Sequence, residues 1–163
     1  STMPWLTVEK NVAFGLDIKH VPKERRDELV NKYLEIVGLT KFKDYFPKQL
    51  SASMLQRVSI ARAFATEPEL LLMDEPYGQL DIELRFKLED ELIKLWEMTG
   101  TTVIFITHNI EEAVYLGEHI MILTNKPTTV KKTLVNHLPR PRDIAAPEFV
   151  QLREEVTELI KWW

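Results

Sequence analysis

The stretch Leu70-Leu71-Leu72-Met73-Asp74-Glu75-Pro76 joins four apolar residues to two adjacent carboxylates and a proline. Four successive apolar residues predict a buried strand, and the proline marks its end. Two acids at the tip of such a strand suit the binding of Mg²⁺ and the preparation of a water molecule beside it. Because neighbouring strand residues point to opposite faces, we expect Asp74 and Glu75 to have different tasks. Taken alone, the pair is more typical of a solvated turn, since Gly78 follows closely.

A second apolar strand, Thr102 to Thr107, ends at His108. The segment between the two strands predicts a helix that is capped by Asp81 and stopped by Gly100. A strand–helix–strand unit favours a parallel pair, whose C-terminal tips meet at the edge where α/β folds bind ligands. A lone histidine at a strand end is usually structural. One strand away from Glu75, however, His108 could donate a hydrogen bond to a terminal phosphate oxygen.

Two further segments have both an ordinary and a functional interpretation. In Leu50-Ser51-Ala52-Ser53-Met54-Leu55-Gln56-Arg57, Ser51 caps a helix that runs to about Ala65. Small residues at this start leave backbone N–H groups accessible, and the helix dipole favours a phosphate there. The segment Tyr77-Gly78-Gln79-Leu80-Asp81 is either a glycine turn with a helix cap or a subunit-contact loop beside the acids.

The remaining pattern predicts an α/β fold, in which a helical segment precedes a parallel sheet. We expect roughly four strands, fewer than the usual ~5–6, so that further strands should precede the chain. Thr2 to Leu16 has a mixed pattern. The other predicted elements are helices at Pro22–Val37, Phe42–Phe46, Ile110–Leu116 and 148–163 (with Leu152, Val156, Leu159 and Trp163 at helical spacing), and strands at His119–Leu123 and Thr129–Val135.

Composition narrows the function classes. The 163 residues suit one domain, and a hydrophobic content of 45% is enough for a core. The net charge of −4 argues against broad nucleic-acid binding. Cysteine is absent, which fits a reducing compartment. No apolar run approaches the ~20 residues that span a bilayer, and no signal peptide is evident. Because the first residue is not methionine, we expect a fragment or a processed chain.

Together and in this order, the motifs resemble those of an ABC transporter ATP-binding subunit. LSASMLQR at 50–57 resembles the signature motif, and LLLMDEP at 70–76 resembles Walker B with its catalytic glutamate. YGQLD at 77–81 resembles the D-loop, and THN at 107–109 resembles the switch-histidine loop. The flanking segments 3–16, 92–123 and 140–156 are similar to the branch that contains the nitrate, sulfonate, taurine and bicarbonate importers.

The resemblance implies a partial P-loop NTPase-like ABC ATPase domain: a helical subdomain at about 17–66, an α/β core with a parallel sheet at about 67–138, and a C-terminal linker and helix at about 139–163. In this family Glu75 would be the general base, Asp74 would position Mg²⁺, and His108 would sense the γ-phosphate. The residues that would contact ATP, mostly that of the partner subunit, are Ser51, Ala52, Ser53, Gln56 and Asp81.

The resemblance also implies partners and a location. A second nucleotide-binding domain would close head to tail around two ATP molecules, and closure would drive transmembrane permease subunits. A periplasmic or extracellular solute-binding protein would deliver a small anion or organic compound, and no nucleic acid would be involved. The subunit would be cytoplasmic and peripheral on the inner face of the cell membrane.

Two departures from the family pattern stand out. The chain contains no GxxxxGK[ST], so we expect the Walker A lysine and the Q-loop glutamine to lie upstream of the position of Ser1. The chain alone should then neither bind ATP tightly nor hydrolyse it. Ala52 and Ser53 replace two usual glycines, and their Cβ atoms could crowd a γ-phosphate or block the required backbone angles. We therefore expect a weakened signature half-site.

Two alternatives remain. The missing Walker A is compatible with a non-catalytic, truncated ATPase domain that acts as an interaction module, although the intact Glu75 and His108 argue against long decay. An SMC-type DNA-repair ATPase would share the signature and Walker B motifs. That class should carry heptad coiled coils and a basic face, and the sequence has neither.

Overall fold

The computed structural model describes residues 2–78 and 80–161. The chain divides into two compact units, of which the first ends at Ile104 and the second begins at Phe105. The helices are α1 (Val8–Ile18), α2 (Lys23–Ile36), α3 (Ala52–Ala65), α4 (Ile82–Thr99), α5 (Ile110–Leu116) and α6 (Pro147–Ile160), and the strands are β1 (Leu70–Asp74), β2 (Thr102–Ile106), β3 (His119–Leu123) and β4 (Val130–Val135).

Helix α1 occupies most of the stretch whose pattern is mixed, so the sequence did not predict it. Thr7 caps the helix by accepting a hydrogen bond from the backbone N–H of Lys10. Val8, Val12 and Leu16 are buried at intervals of four residues, as the core-facing side of a helix requires. A polar Asn11 among them is also buried, which obscures the pattern.

Three helices form the core of the first unit, since α1 packs against both α2 and α3 and these two pack against each other. Gly15 permits the close approach of α1 to the end of α3. A Cβ atom built at Gly15 would lie 2.5 Å from Cγ2 of Thr66, closer than two carbon atoms can pack. A side chain at this position would therefore require Thr66 or the packing of the two segments to shift.

The predicted helix boundaries are largely confirmed where caps mark them. Ser51 and Asp81 are the N-caps of α3 and α4. Gly100 ends α4 in the left-handed conformation, with φ of 65°, which glycine adopts without steric cost. The short helix predicted at Phe42–Phe46 is wrong: two 3-10 turns occur instead, at Thr40–Phe42 and Pro47–Gln49.

Strands β1 and β2 are hydrogen-bonded neighbours in a two-stranded sheet. The backbone N–H of Thr102 also donates to the carbonyl of Glu69, just before β1. Helix α4 connects the strands, and a connection of this kind is what parallel neighbours require. The side chains of Leu70, Leu72 and Ile104 alternate with more buried neighbours and are themselves at least half exposed. This part of the sheet therefore presents apolar side chains to solvent.

The second unit contains a β-hairpin, which corrects the prediction of one parallel sheet of roughly four strands. Strand β3 pairs antiparallel with β4, and His119 lies opposite Val135. The connection from Thr124 to Thr129 is closed by a hydrogen bond between their backbones, at 2.8 Å. So short a connection can join only antiparallel strands. The two strands themselves lie where the sequence predicts them.

Helix α6 packs against both α5 and β3, and it buries Phe149 and Val156. Residue Trp163, which the helical spacing also included, lies outside the described residues. The α/β class with helices beside strands is confirmed, whereas the predicted subdomain boundaries stay a prediction. No helix in the described part of the chain is long and apolar enough to cross a bilayer.

Candidate functional site

The two acids lie where β1 ends. Asp74 is the last residue of β1 and is exposed, whereas Met73 before it is buried. Glu75 follows with a positive φ of 43°. Such a conformation is uncommon outside glycine and costs on the order of 1–3 kcal/mol. The chain therefore turns abruptly after Asp74, and Glu75 leaves the strand direction at the tip of β1.

Residues 74–81, of which Gln79 lies outside the described residues, form a segment that we call the acid loop. Its anchor is Tyr77, whose side chain is only 1% exposed and whose hydroxyl donates to the carbonyl of Leu88 in α4. The loop is compact, since the N–H of Gly78 donates to the carbonyl of Glu75. A Cβ at Gly78 would lie 3.6 Å from Oε2 of Glu75, so the carboxylate lies over this glycine.

Asp81 ends the acid loop and begins α4. Its Oδ1 accepts a hydrogen bond from the backbone N–H of Leu84 at 2.9 Å, and its side chain is exposed. This is the predicted cap geometry. The predicted contact of Asp81 with a nucleotide stays a prediction.

The chemistry of the acids at the tip of β1 is compatible with Mg²⁺, whose binding there stays a prediction. No group of three or more His, Asp or Glu side chains able to hold a metal occurs among residues 2–78 and 80–161. Mg²⁺ normally takes only one or two protein carboxylates, however, and completes its octahedron with water and substrate phosphates. Asp74, exposed at the tip of β1, supplies one such carboxylate.

The start of α3 carries the predicted anion-binding residues. Ser51 is exposed, and its Oγ accepts a hydrogen bond from the N–H of Met54 at 3.4 Å. The Oγ atoms of Ser51 and Ser53 lie 3.0 Å apart and share a hydrogen bond. Ala52 is exposed in the first turn, and Gln56 is half-buried one turn further on. The hydroxyl of Ser51 is thus engaged within its own helix turn.

An ion pair joins the start of α3 to α4. The Nε and Nη2 atoms of Arg57 donate to Oε2 and Oε1 of Glu91, at 2.9 and 2.5 Å. Both side chains are about three-quarters buried. This two-bond geometry is the strong form of an arginine–carboxylate pair. It links the serine-rich helix start to the helix that follows the acid loop, and sequence analysis missed it because 34 positions separate the two residues.

His108 lies in the second unit, is separated from the end of β2 by Thr107, and is exposed. Its neighbours Thr107 and Asn109 form a tight turn with it, which we call the histidine turn. The N–H of Asn109 donates to Oγ1 of Thr107 at 2.9 Å, and Thr107 in turn donates to the carboxylate of Glu112 at 2.6 Å. Asn109 caps α5 by accepting from the N–H groups of Glu111 and Glu112. The histidine is thereby held between two residues that are bonded to α5.

Thus Asp74, Glu75 and Asp81 lie on one loop of the first unit, and Ser51, Ala52, Ser53 and Gln56 lie on one turn and a half of α3 in that unit. His108 belongs to the second unit. Its predicted place one strand from Glu75 stays a prediction. Tyr77 belongs to the segment 77–81 that the sequence marks, but its anchoring contact was not predicted, and Glu112 was not predicted at all. The available signals were an aromatic residue after a glutamate–proline pair and an acid three residues after a helix cap.

The sequence is similar to that of known transporter components. Residues 1–78 match the ABC transporter family. The chain is 45% identical over 159 residues to an uncharacterised ABC transporter ATP-binding protein of Methanocaldococcus jannaschii, covering 98% of the chain and 60% of that protein. It is 36% identical over 170 residues to the nitrate import ATP-binding protein NrtD of Synechocystis, covering 99% of the chain and 64% of the relative.

A third relative is the aliphatic sulfonates import ATP-binding protein SsuB of Bacillus cereus, which is 43% identical over 155 residues, 95% of the chain and 61% of that protein. The chain thus spans about three-fifths of the length of the curated relatives that it matches.

Solved structures give the same result for the fold. The structure of an ATP-binding cassette described as a dimer in a post-hydrolysis state bound to ADP and Pi matches with a TM-score of 0.68 and 33% identity, covering 84% of this chain and 60% of that one. A structure described as a dimeric bacterial ABC transporter cassette matches with the same TM-score and 34% identity, with the same coverage. By sequence and by fold, this chain is a homologue of the ATP-binding proteins of ABC transporters.

Proposed function

We propose that this chain serves in the ATP-hydrolysing subunit of an ABC importer that takes up a small anion or organic compound, of the nitrate, sulfonate, taurine or bicarbonate type. The observation that carries the proposal is the acid loop at the tip of β1 in a chain 36–44% identical to import ATP-binding proteins. The relatives that name a substrate are named for nitrate and aliphatic sulfonates, which are both oxyanions or carry an oxyanion group.

The acid loop would carry the chemistry of hydrolysis. In this step a water oxygen bonds to the γ-phosphorus, the bond from that phosphorus to the ADP oxygen breaks, and the carboxylate of Glu75 accepts the proton that the water loses. The turn after Asp74 supports this division, because it separates Glu75 from the strand direction while Asp74 remains on β1. Mg²⁺, held by Asp74 through its water shell, would supply neutralisation of the phosphate charge.

His108 would donate a hydrogen bond to a γ-phosphate oxygen. The exposure of its side chain and the rigid turn around it support this role. The start of α3 would serve the ATP of a second subunit, where Ser51 and the first-turn N–H groups face a phosphate and Gln56 lies one turn away. Asp81 and the acid loop would lie at the same contact between subunits. The solved relatives described as dimers support the pairing of two such subunits, for which we propose the head-to-tail arrangement.

The signature of this chain should be weaker than a glycine-containing one. In this proposal the Cβ atoms of Ala52 and Ser53 would lie where a phosphate approaches. The hydrogen bond between the hydroxyls of Ser51 and Ser53 supports this, because a phosphate would have to compete with Ser53 for the hydroxyl of Ser51. Changing both residues to glycine should raise ATP turnover in a protein that carries this segment. Unchanged turnover would count against the proposal for the signature.

Permease subunits of the membrane are the proposed partners of the helical part of the first unit. Exposed apolar side chains support this, since Trp5 is 71% and Ile18 62% exposed, and Phe14 lies one turn before Ile18 on α1. The carbonyl of Tyr45, whose side chain is also exposed, accepts from the N–H of Val8. The subunit would be cytoplasmic, on the inner face of the membrane. A solute-binding protein would act on the far side, and no nucleic acid would take part.

The chain by itself should be inactive, since none of its residues forms the GxxxxGK[ST] phosphate cradle. The same observation favours the second candidate function, a non-catalytic domain that only docks to permease subunits or dimerises. Calorimetric titration of MgATP into the 163-residue chain tests the first point. Tight binding, or turnover that Glu75→Gln abolishes, would contradict the expected inactivity.

A chimeric protein distinguishes the two functions. The matching part of SsuB from Bacillus cereus is replaced by this chain, and ATP hydrolysis and growth on an aliphatic sulfonate are measured. The importer subunit predicts turnover that falls by about 10²–10⁴-fold in Glu75→Gln. The matched control is Glu69→Gln, which changes an exposed acid immediately before the start of β1 and should leave turnover unchanged. A folded chimera that binds MgATP, associates with its permease and never hydrolyses would support the interaction module.

A further inference from the structure

The end of helix α5 is enclosed by three polar side chains from the segment that follows β4. These are Asn136, Arg140 and Arg142, which we call the α5 clamp. Nη1 of Arg142 donates to the carbonyls of Val114 and Tyr115, at 3.1 and 2.8 Å. The same atom donates at 2.9 Å to the carbonyl of Gly117, which directly follows the helix. Three carbonyls at one helix end thus converge on a single guanidinium nitrogen.

The other two members of the α5 clamp complete the set. Arg140 donates to the carbonyls of Tyr115 and Leu116. Nδ2 of Asn136 donates to Val114 and Gly117, at 2.8 and 3.0 Å. The last carbonyls of a helix have no partner within it, and two positive charges also complement the negative end of its dipole. All four carbonyls from residue 114 to 117 therefore receive side-chain donors.

Arg142 is held firmly in this position. Its side chain is 8% exposed, and its Nε donates to the carbonyl of Leu138 in its own segment. Burial, and secondarily the neighbouring charge of Arg140, lowers the pKa of Arg142 from 12.5 to about 10, so that it still carries its charge at neutral pH. A buried cation is costly without partners, and here backbone carbonyls provide them.

Helix α5 is too short to be stable without support at its ends. It has 7 residues and is about 10 Å long, whereas isolated helices shorter than ~12–15 residues are marginal in water. Its first turn is bonded to the histidine turn through Asn109 and through the pair of Thr107 and Glu112. Contacts that hold the C-terminal end of α5 in place therefore also hold the backbone of His108 in place.

We propose that Arg142, supported by Arg140 and Asn136, is a positioning residue for His108, which it orients through helix α5. The inference rests on the proposed function in one respect only: the proposed function provides the phosphate that His108 contacts. The α5 clamp at one end of α5 and the histidine turn at the other make this helix the connection between the segment after β4 and His108.

The first test measures amide hydrogen exchange of the 163-residue chain and its Arg142→Met variant, with ¹⁵N NMR of the His108 ring. Exchange in residues 107–117 should accelerate by about tenfold or more, and the His108 ring signal should shift or broaden. Strand β3 and helix α6 should change less. Arg142→Lys, which keeps the charge and three donors, should restore part of the protection.

Lys131→Met is the matched control, because Nζ of Lys131 donates to the carbonyl of Leu159 near the end of α6. It removes a cation–carbonyl bond from another helix of the same unit, so exchange near α6 should rise while the His108 signal stays unchanged. If Arg142→Met fails to fold, the milder Arg140→Met gives the same readouts. Uniform acceleration across the unit, or a loosened α5 with an unchanged His108 signal, would overturn the proposal.

The chimera with SsuB separates this inference from the proposed function. If Glu75→Gln and His108→Ala abolish turnover and Arg142→Met lowers it by about tenfold, both proposals stand. If the first two abolish turnover and Arg142→Met does not change it, positioning fails while the function stands. If none of the three changes turnover, the proposed function fails, and the exchange data alone decide whether Arg142 orients His108.

Discussion

The acid loop and the histidine turn both follow a strand of the β1–β2 pair and both lead into a helix, but different forces hold them. The acid loop depends on one buried aromatic side chain, Tyr77, and on a left-handed residue, Glu75. The histidine turn depends on hydrogen bonds around Thr107 and Asn109. Helix length contributes to the difference: α4 has 18 residues and a buried apolar face, whereas α5 has 7 residues and depends more on polar contacts at its two ends.

Removing the apolar anchor of the acid loop should have the largest effect on stability. Tyr77→Ala leaves a cavity and exposes the apolar surface that packed on the ring, so the free energy of unfolding should fall by about 3–5 kcal/mol in urea denaturation. Tyr45→Ala is the control, because Tyr45 is 41% exposed and its replacement should change stability far less. Equal losses for the two variants would show that Tyr77 is not the anchor.

Removing one hydroxyl from the histidine turn should cost less. Thr107→Val keeps the shape of the side chain and removes its donor to Glu112, a carboxylate only 4% exposed. The expected loss is about 1–3 kcal/mol, because a buried carboxylate loses a charge-assisted bond. Thr102→Val, on the exposed side of β2, is the matched control and should be close to neutral. A neutral Thr107→Val would break the comparison, since the turn would then not depend on hydrogen bonds.

The left-handed conformation of Glu75 makes a prediction of opposite sign. At a positive φ glycine avoids the steric cost that other residues have, so Glu75→Gly should be more stable than Glu75→Ala by about 1 kcal/mol. Thermal unfolding of both variants measures the difference. The same pair of substitutions at Glu69, before β1 and without a positive φ, should favour alanine. If Glu75→Ala is the more stable variant, Glu75 is not held in a strained turn.

The ion pair between α3 and α4 should contribute the least. A double-mutant cycle of Arg57→Met and Glu91→Gln should give a coupling energy of about 0.5–1 kcal/mol, because both groups retain about a quarter of their exposure. The more exposed pair of Arg25 and Glu28 should show weaker coupling. If the coupling energy were as large as the loss of stability expected for Tyr77→Ala, polar contacts would stabilise the first unit as much as apolar burial does.

Much of the local structure could be predicted because its determinants are adjacent in sequence. Asp81 and Gly100 mark the two ends of α4, and Ser51 with the apolar positions after it marks the start of α3. The structure contains both helices. Runs of β-branched and leucine residues similarly predicted all four strands that the described residues contain. The pairing of β3 with β4 followed from the length of their connection, which the expectation of one parallel sheet did not use.

Helix α1 and the hydrogen bonds of the α5 clamp could not be predicted, for two physical reasons. In α1, buried Asn11 donates to the carbonyls of Met3, Leu6 and Thr7, so a core position is polar. Gly15, a poor helix former, is present because of its close contact with Thr66, which is distant in sequence. The bonds of Arg142 to α5 span more than 20 positions. Local patterns carry no information about partners so far apart.

The exposed apolar side chains of Leu70, Leu72 and Ile104 have a consequence for the behaviour of the chain in a cell. An extended backbone with leucine and isoleucine on its open side is the kind of surface that chaperones bind and that self-associates as concentration rises. A net charge of −4 gives only moderate mutual repulsion, which salt screens. We therefore expect the apparent mass in sedimentation to rise with protein and salt concentration, and Leu72→Lys to prevent that rise.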